Sequence, residues 1–377
     1  MFRLVGILYL VLLAALGVGD VLASRVDARI NAYSPSGATA SERARALHAQ
    51  IAVADLHSDM LLWDRDHRAR QSRGHTDMAR LRDGGVELQV FSVVTASPEG
   101  QNFDANDIAS GDRITTLALA QGWPVGAVLS MRDRALLQAR RLTALERRGD
   151  LTIVRHAGDM DAKGLKGILL TEGAHPLEGD LANIDVLHDA GYRVLGLHHF
   201  FDNALGGSMH GRSQAGLTPF GRDVLARMDA LGLIVDLAHS SDAVARDVLS
   251  LSDRPVIVSH TGLVAACPST GNRNLPDATM REIAARGGLI GVTFFKGAVC
   301  NISADGIADT IVAALAMLGE DAVALGSDFD GSVATTLDSA DYALLTDALM
   351  RRGVDERVIA KVMGGNAHRF FAENLPD

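Results

Sequence analysis

The chain has 377 residues, 47% of them apolar, and carries 36 Lys and Arg against 46 Asp and Glu, a formal net charge of −10. That much apolar material can bury a large core, which excludes disorder for the chain as a whole. The acidic balance, with no long Lys/Arg run, excludes the basic footprint of a nucleic-acid binder and favours small-molecule partners.

At the N-terminus Arg3 precedes an almost unbroken apolar run over residues 4–19, followed by small residues around Val21-Leu22-Ala23. That is the order of a secretory signal, so residues 1–24 are expected to be a leader and the protein exported, to a periplasmic or extracellular place. An uncleaved membrane anchor is the second reading, because the run is slightly short of the ~20 residues that span a bilayer comfortably. No Cys follows to take a lipid, and residues 370–377 offer no hydrophobic tail for a glycolipid anchor. Residues 25–45, with Pro35, Ser36 and Gly37, read as a polar linker, which leaves 46–377 for the fold.

From residue 46 onward, short β-branched apolar runs alternate with amphipathic stretches. The expected strands are 51–57, 86–95, 167–171, 193–198, 233–238, 255–259, 289–295 and 323–327. Between them, 218–231 opens on Thr218-Pro219, a cap and a first-turn proline, and stops at Gly232; 277–286 stops at Gly287-Gly288. Eight strand–helix units with continuously apolar strands predict an α/β fold, a (β/α)8 TIM barrel with a helical insertion at about 100–150. A doubly wound open sheet is the runner-up. Cys267 and Cys300 can form at most one bridge, and nothing in their spacing demands it, so an unpaired pair is expected.

The strand ends carry the chemistry. The first ends Asp55-Leu56-His57-Ser58-Asp59, the third Thr171-Glu172-Gly173, the fourth Leu197-His198-His199, the fifth Asp236-Leu237-Ala238-His239, the sixth Ser259-His260, and the eighth Ser327-Asp328-Phe329-Asp330. Titratable side chains are costly at the end of an apolar strand unless a shared partner compensates them, and a pair of metal ions is the economical partner. In an extended segment His57 and Asp59 share a face. With Glu172, His239 and His260 they make a three-imidazole, two-carboxylate donor set suited to Zn²⁺, with Mn²⁺ or Co²⁺ as substitutes, and Glu172 is the natural bridge between two ions. Taken singly, a strand-end histidine is more often structural than a ligand; five ligand types at one end of successive strands outweigh that. Asp55 and Asp236 are expected to orient imidazoles or cap loops, and Asp330 to close the turn at Gly331. His67, His75, His156, His175, His188 and His210 are read as surface or structural.

These residues resemble the membrane (renal-type) dipeptidases, binuclear zinc peptidases with an amidohydrolase-like barrel. The resemblance covers about residues 46–375 and rests on Asp55-Leu56-His57-Ser58-Asp59, the stretch His75-Thr76-Asp77-Met78 through Gly84-Gly85-Val86, Thr171-Glu172-Gly173, Gly216-Leu217-Thr218-Pro219-Phe220-Gly221, Asp236-Leu237-Ala238-His239, Ser259-His260, Asn272-Arg273-Asn274-Leu275-Pro276-Asp277 and Gly326-Ser327-Asp328-Phe329-Asp330-Gly331. It implies that His57 and Asp59 hold one zinc, His239 and His260 the other, with Glu172 between them. It also implies that His199, rather than His198, contacts the scissile carbonyl, that Arg273 receives the substrate carboxylate, and that Asp328 shuttles the proton. The family's activity would be hydrolysis of dipeptides by a hydroxide bridging two zinc ions, in chains that form homodimers. Phe295 departs from the mammalian pattern, where a tyrosine is expected near the substrate. The alternatives are a metal-dependent hydrolase of a lactone, cyclic amide or phosphoester, against which Arg273 and Asn274 speak, and a catalytically silent barrel, against which the full ligand set speaks.

Overall fold

The structure is a computed structural model and describes residues 17–268 and 271–377, so most of the expected leader lies outside the described residues. Its frame is a closed parallel barrel of eight strands: β1 (Val53–Ser58), β2 (Val86–Val94), β4 (Lys166–Glu172), β5 (Tyr192–Gly196), β6 (Ile234–Asp236), β7 (Ile257–Thr261), β8 (Leu289–Val292) and β9 (Val323–Leu325). β2 pairs directly with β4 and β9 with β1, which closes the ring. A two-residue strand, β3 (Thr152–Ile153), adds to the start of β4.

Both faces of each strand are buried, which is why the strands read as unbroken apolar runs. One set of alternate residues, among them Ala54, Leu88, Ile168, Val194, Ile234, Ile257, Leu289 and Ala324, meets inside the barrel with Phe370 and Phe371 of the C-terminal helix Asn366–Asn374. The other set, such as Phe91, Leu169, Leu195 and Val258, packs against the surrounding helices. The helix Pro219–Leu231 is capped as its sequence suggests: the Thr218 side chain accepts from the Gly221 amide, and Gly232 closes the helix at φ +70°. The insertion contains three helices within 113–146.

Two expectations need correction. Residues 25–45 are not a free linker. Helix α1 (residues 17–30) and helix α2 (Glu42–His48) both dock on the barrel. Tyr33 Oη donates to Asp341 Oδ2 at 2.7 Å, Ser41 Oγ donates to Asp347 at 2.6 Å, and Asp27 is buried against Arg65. Local polarity concealed this because each polar group is matched by a partner distant in the chain. Cys267 and Cys300 are joined in a disulfide, since the loops after β7 and β8 bring their Cα atoms to 5.7 Å. No helix among the described residues is long and apolar enough to cross a membrane.

Candidate metal centre

The interior alternation of β4 runs 168, 170, 172, so the strand register itself delivers the Glu172 carboxylate to the C-terminal mouth of the barrel. Three imidazoles converge on it. His239 Nε2 lies 3.1 Å, His260 Nε2 3.4 Å and His57 Nε2 3.7 Å from Glu172 Oε1. Asp59 Oδ2 stands 3.7 Å from His57 Nε2. The extended-strand argument for His57 and Asp59 holds only in part. β1 ends at Ser58, and Asp59 already turns into a short 3-10 helix, yet it still aims at the same point. Asp328 joins His57 and Asp59 in a second cluster, and His199 joins Glu172 and His239 in a third, each with donor atoms within 4.8 Å of one another.

The rings are held from behind. Ser259 Oγ donates to Asp236 Oδ2 at 2.6 Å, so its oxygen is free to accept from His260 Nδ1 at 2.9 Å and His57 Nδ1 at 3.1 Å. His239 Nδ1 meets His210 Nε2 at 3.0 Å. With all three Nδ1 atoms engaged, the Nε2 lone pairs are left facing inward. His239 Nε2 and His260 Nε2 then face each other at 2.9 Å, while His57 Nε2 and Asp59 Oδ1 are buried with no hydrogen-bond partner. Acceptors turned toward one another and orphaned polar atoms in a buried cluster fit a cation. The titration behaviour points the same way. Burial alone would lower the His57 imidazole, but the adjacent Asp59 carboxylate, with the charges of Glu172 and Asp328, pushes it up to about 10, so this carboxylate cluster calls for positive charge. Burial, followed by surrounding cationic groups, holds His239 and His260 well below the usual imidazole range, in the neutral form a metal ligand needs.

Two site residues sit in left-handed backbone, His239 at φ +62° and Asp328 at φ +66°, a conformation that folding tolerates only where surroundings impose it. Gly326 precedes Asp328 because a Cβ there would lie 1.9 Å from the Ser259 carbonyl oxygen.

A cavity of about 630 Å³ opens over the cluster and is lined by His199, Arg273, Phe295 and Asp328 beside the ligand set. His199 Nδ1 donates to the Ala96 carbonyl at 3.0 Å, which turns Nε2 toward Glu172, whereas His198 points elsewhere, with Nδ1 3.2 Å from Ser240 Oγ. Arg273 is buried, with Nη2 3.9 Å from Asp328 Oδ2 and its guanidinium 5.8 Å over the Phe295 ring. Burial pushes the Asp328 carboxyl well up, against the pull of His57 and Arg273.

Sequence reasoning missed His210 and Ser259 as supports of the ligand rings. The only signal for Ser259 was its place beside His260; His210 lies in a loop with none. Asp330 does more than close a turn: its carboxylate accepts from the His75 and Thr76 amides and pairs with Arg65 at 3.0 Å. His67 and His175 are buried and not at the surface.

A closed parallel barrel with a mixed imidazole–carboxylate cluster at its C-terminal mouth defines a metal-dependent barrel enzyme class. The chain belongs to the membrane dipeptidase family, peptidase family M19, which matches residues 41–375. It is 27% identical over 364 residues to mouse Dipeptidase 3, with 88% of this chain covered, and spans 66% of that relative's length. A crystal structure of a metallopeptidase from Rhodobacter sphaeroides, liganded with a phosphinate mimic of the dipeptide L-Ala-D-Ala, is 25% identical with a TM-score of 0.71, covering 86% of this chain and 99% of the other. The probable dipeptidase PvdM from Pseudomonas aeruginosa shares the fold at 19% identity and a TM-score of 0.74, over 89% of this chain and 98% of the other. Family membership and donor set together imply a metal cofactor.

Proposed function

We propose that the protein is a metal-dependent dipeptidase holding two zinc ions, with Glu172 shared between them, His57 and Asp59 on one side and His239 and His260 on the other. The observation that carries this reading is the convergence of three buried imidazole Nε2 atoms on one buried carboxylate, in the same cavity as a buried arginine. When bound, such ions supply a water of lowered pKa and polarise a carbonyl.

The chain's own residues do the rest. Arg273 offers a planar fork matched to a free C-terminal carboxylate, which selects short peptides and sets the scissile bond over the cluster. His199, held through Ala96, keeps Nε2 toward the cavity, beside the oxygen that gains charge during attack. Asp328, whose carboxyl burial pushes up, takes a proton from the attacking water as the carboxylate and then delivers it to the departing amine. The bound dipeptide mimic of the Rhodobacter relative supports a dipeptide-sized substrate. The proposal also takes residues 1–24 as an export leader or anchor, and the protein as a homodimer; N-terminal mass and solution size check both.

The deciding experiment assays metal-loaded protein on a panel of dipeptides with L and D residues at each position, beside lactone and phosphoester substrates. Dipeptide hydrolysis that vanishes with chelation and returns with zinc is the expected result. Turnover of only the lactone or phosphoester, or metal analysis under about one ion per chain, overturns the reading.

A further inference from the structure

The cavity reaches beyond the ligand cluster to an apolar wall. Leu22, Val26 and Ile30 of α1 line it together with Trp63, Ile114 and Leu117. α1 lies upstream of residues 41–375, so its share of this wall comes from outside the part of the chain that matches the family.

The helix is fastened to the site rather than laid beside it. Asp27 is 1% exposed and accepts from Arg65 Nε and Arg73 Nε, each at 2.8 Å. Arg65 also pairs with Asp330, and Asn31 Oδ1 accepts from the Ser332 amide at 2.8 Å, so α1 is tied to the loop that carries Asp328. Despite this anchoring, Leu22 and Val26 remain 53% and 45% exposed where they face the cavity. Fixed apolar side chains left in water at the mouth of a polar site mark a surface that a ligand covers.

Resting on the dipeptidase reading, and on residues 1–24 being an anchor that stays in the mature chain, we propose that α1 forms a wall of the substrate site and receives a large apolar side chain on the amino-terminal residue of the dipeptide. The assignment to that residue follows from Arg273. Its guanidinium lies over Phe295, so the carboxy-terminal residue falls beside Phe295. The α1 wall continues instead into Trp63, at the end of the turn that begins with Asp59.

The test uses the purified full chain, its N-terminus verified by mass, metal-loaded, with kcat/KM measured for Phe-Gly, Leu-Gly and Ala-Gly and for the reversed series Gly-Phe, Gly-Leu and Gly-Ala. The wild type should favour Phe-Gly over Ala-Gly by about tenfold or more. The Leu22→Ser/Val26→Ser double variant, altered only at exposed positions, should lose about tenfold in that ratio while Ala-Gly and the reversed series change by less than about twofold. An unchanged ratio in the variant, or no preference for Phe-Gly in the wild type, overturns the wall while leaving the dipeptidase reading intact. Failure to cleave every dipeptide overturns both.

Discussion

Glu172→Gln is the sharpest perturbation of the centre, because one side chain of nearly unchanged shape loses its charge. Its Oε1 faces His239, His260 and His57 at 3.1, 3.4 and 3.7 Å, and Oε2 stands 3.6 Å from His199. A unit charge felt at about 4 Å through an effective dielectric of about 20 contributes about 4 kcal/mol. At about 1.4 kcal/mol per tenfold, metal affinity should fall by about a thousandfold for the first ion and turnover should nearly vanish. Because β4 is fixed by ladders to β2 and β5, the fold should survive. Bound metal by mass spectrometry, metal titration and far-UV circular dichroism read the three quantities separately. A Gln variant that keeps two ions per chain and turns over within about tenfold of wild type would refute the argument that this carboxylate is the shared ligand.

Arg273→Met should raise KM for dipeptides by about 10- to 100-fold, the loss of a charged bidentate contact, with metal content unchanged; an unaltered KM sinks the carboxylate role. Ser259→Ala removes the hydroxyl that holds both His57 and His260 at Nδ1, so metal affinity should drop by about 10- to 100-fold in a folded protein; competition with a chelator measures it, and wild-type affinity would show the rings are positioned otherwise. Burial lowers both His67 and His175 to about 3, so the folded chain keeps them neutral while the unfolded chain protonates them near 6.5. Their contribution to stability is therefore present above about pH 6.5 and is lost as pH falls toward 3, each by up to about 1.4 kcal/mol per pH unit. Urea unfolding at pH 7, 6, 5 and 4 should show a flatter acid slope in His67→Gln and His175→Gln, and superimposable slopes would contradict this.

Much of the candidate site could be read in the chain because its donors stand at strand ends, and a strand end is a local feature. Glu172 follows an apolar run whose alternation already aims it inward, and Gly173 after it, at φ +86°, is the turn that such a run needs. His210 carried no such signal. It lies in a loop 29 residues from His239, and only the path of that loop over the barrel mouth brings the two rings together.

Sequence alone determined the eight strands, their parallel barrel and the caps of helices such as Pro219–Leu231, since each follows from periodicity or from neighbours a few residues away. Tertiary structure decided the rest. The Cys267–Cys300 bond, the Arg65 link between Asp27 and Asp330, and the docking of α1 over the cavity join residues separated by 33 positions or more. Such pairings depend on where whole loops come to lie once the barrel has closed, and polar composition reads the same whether a carboxylate faces water or a buried arginine.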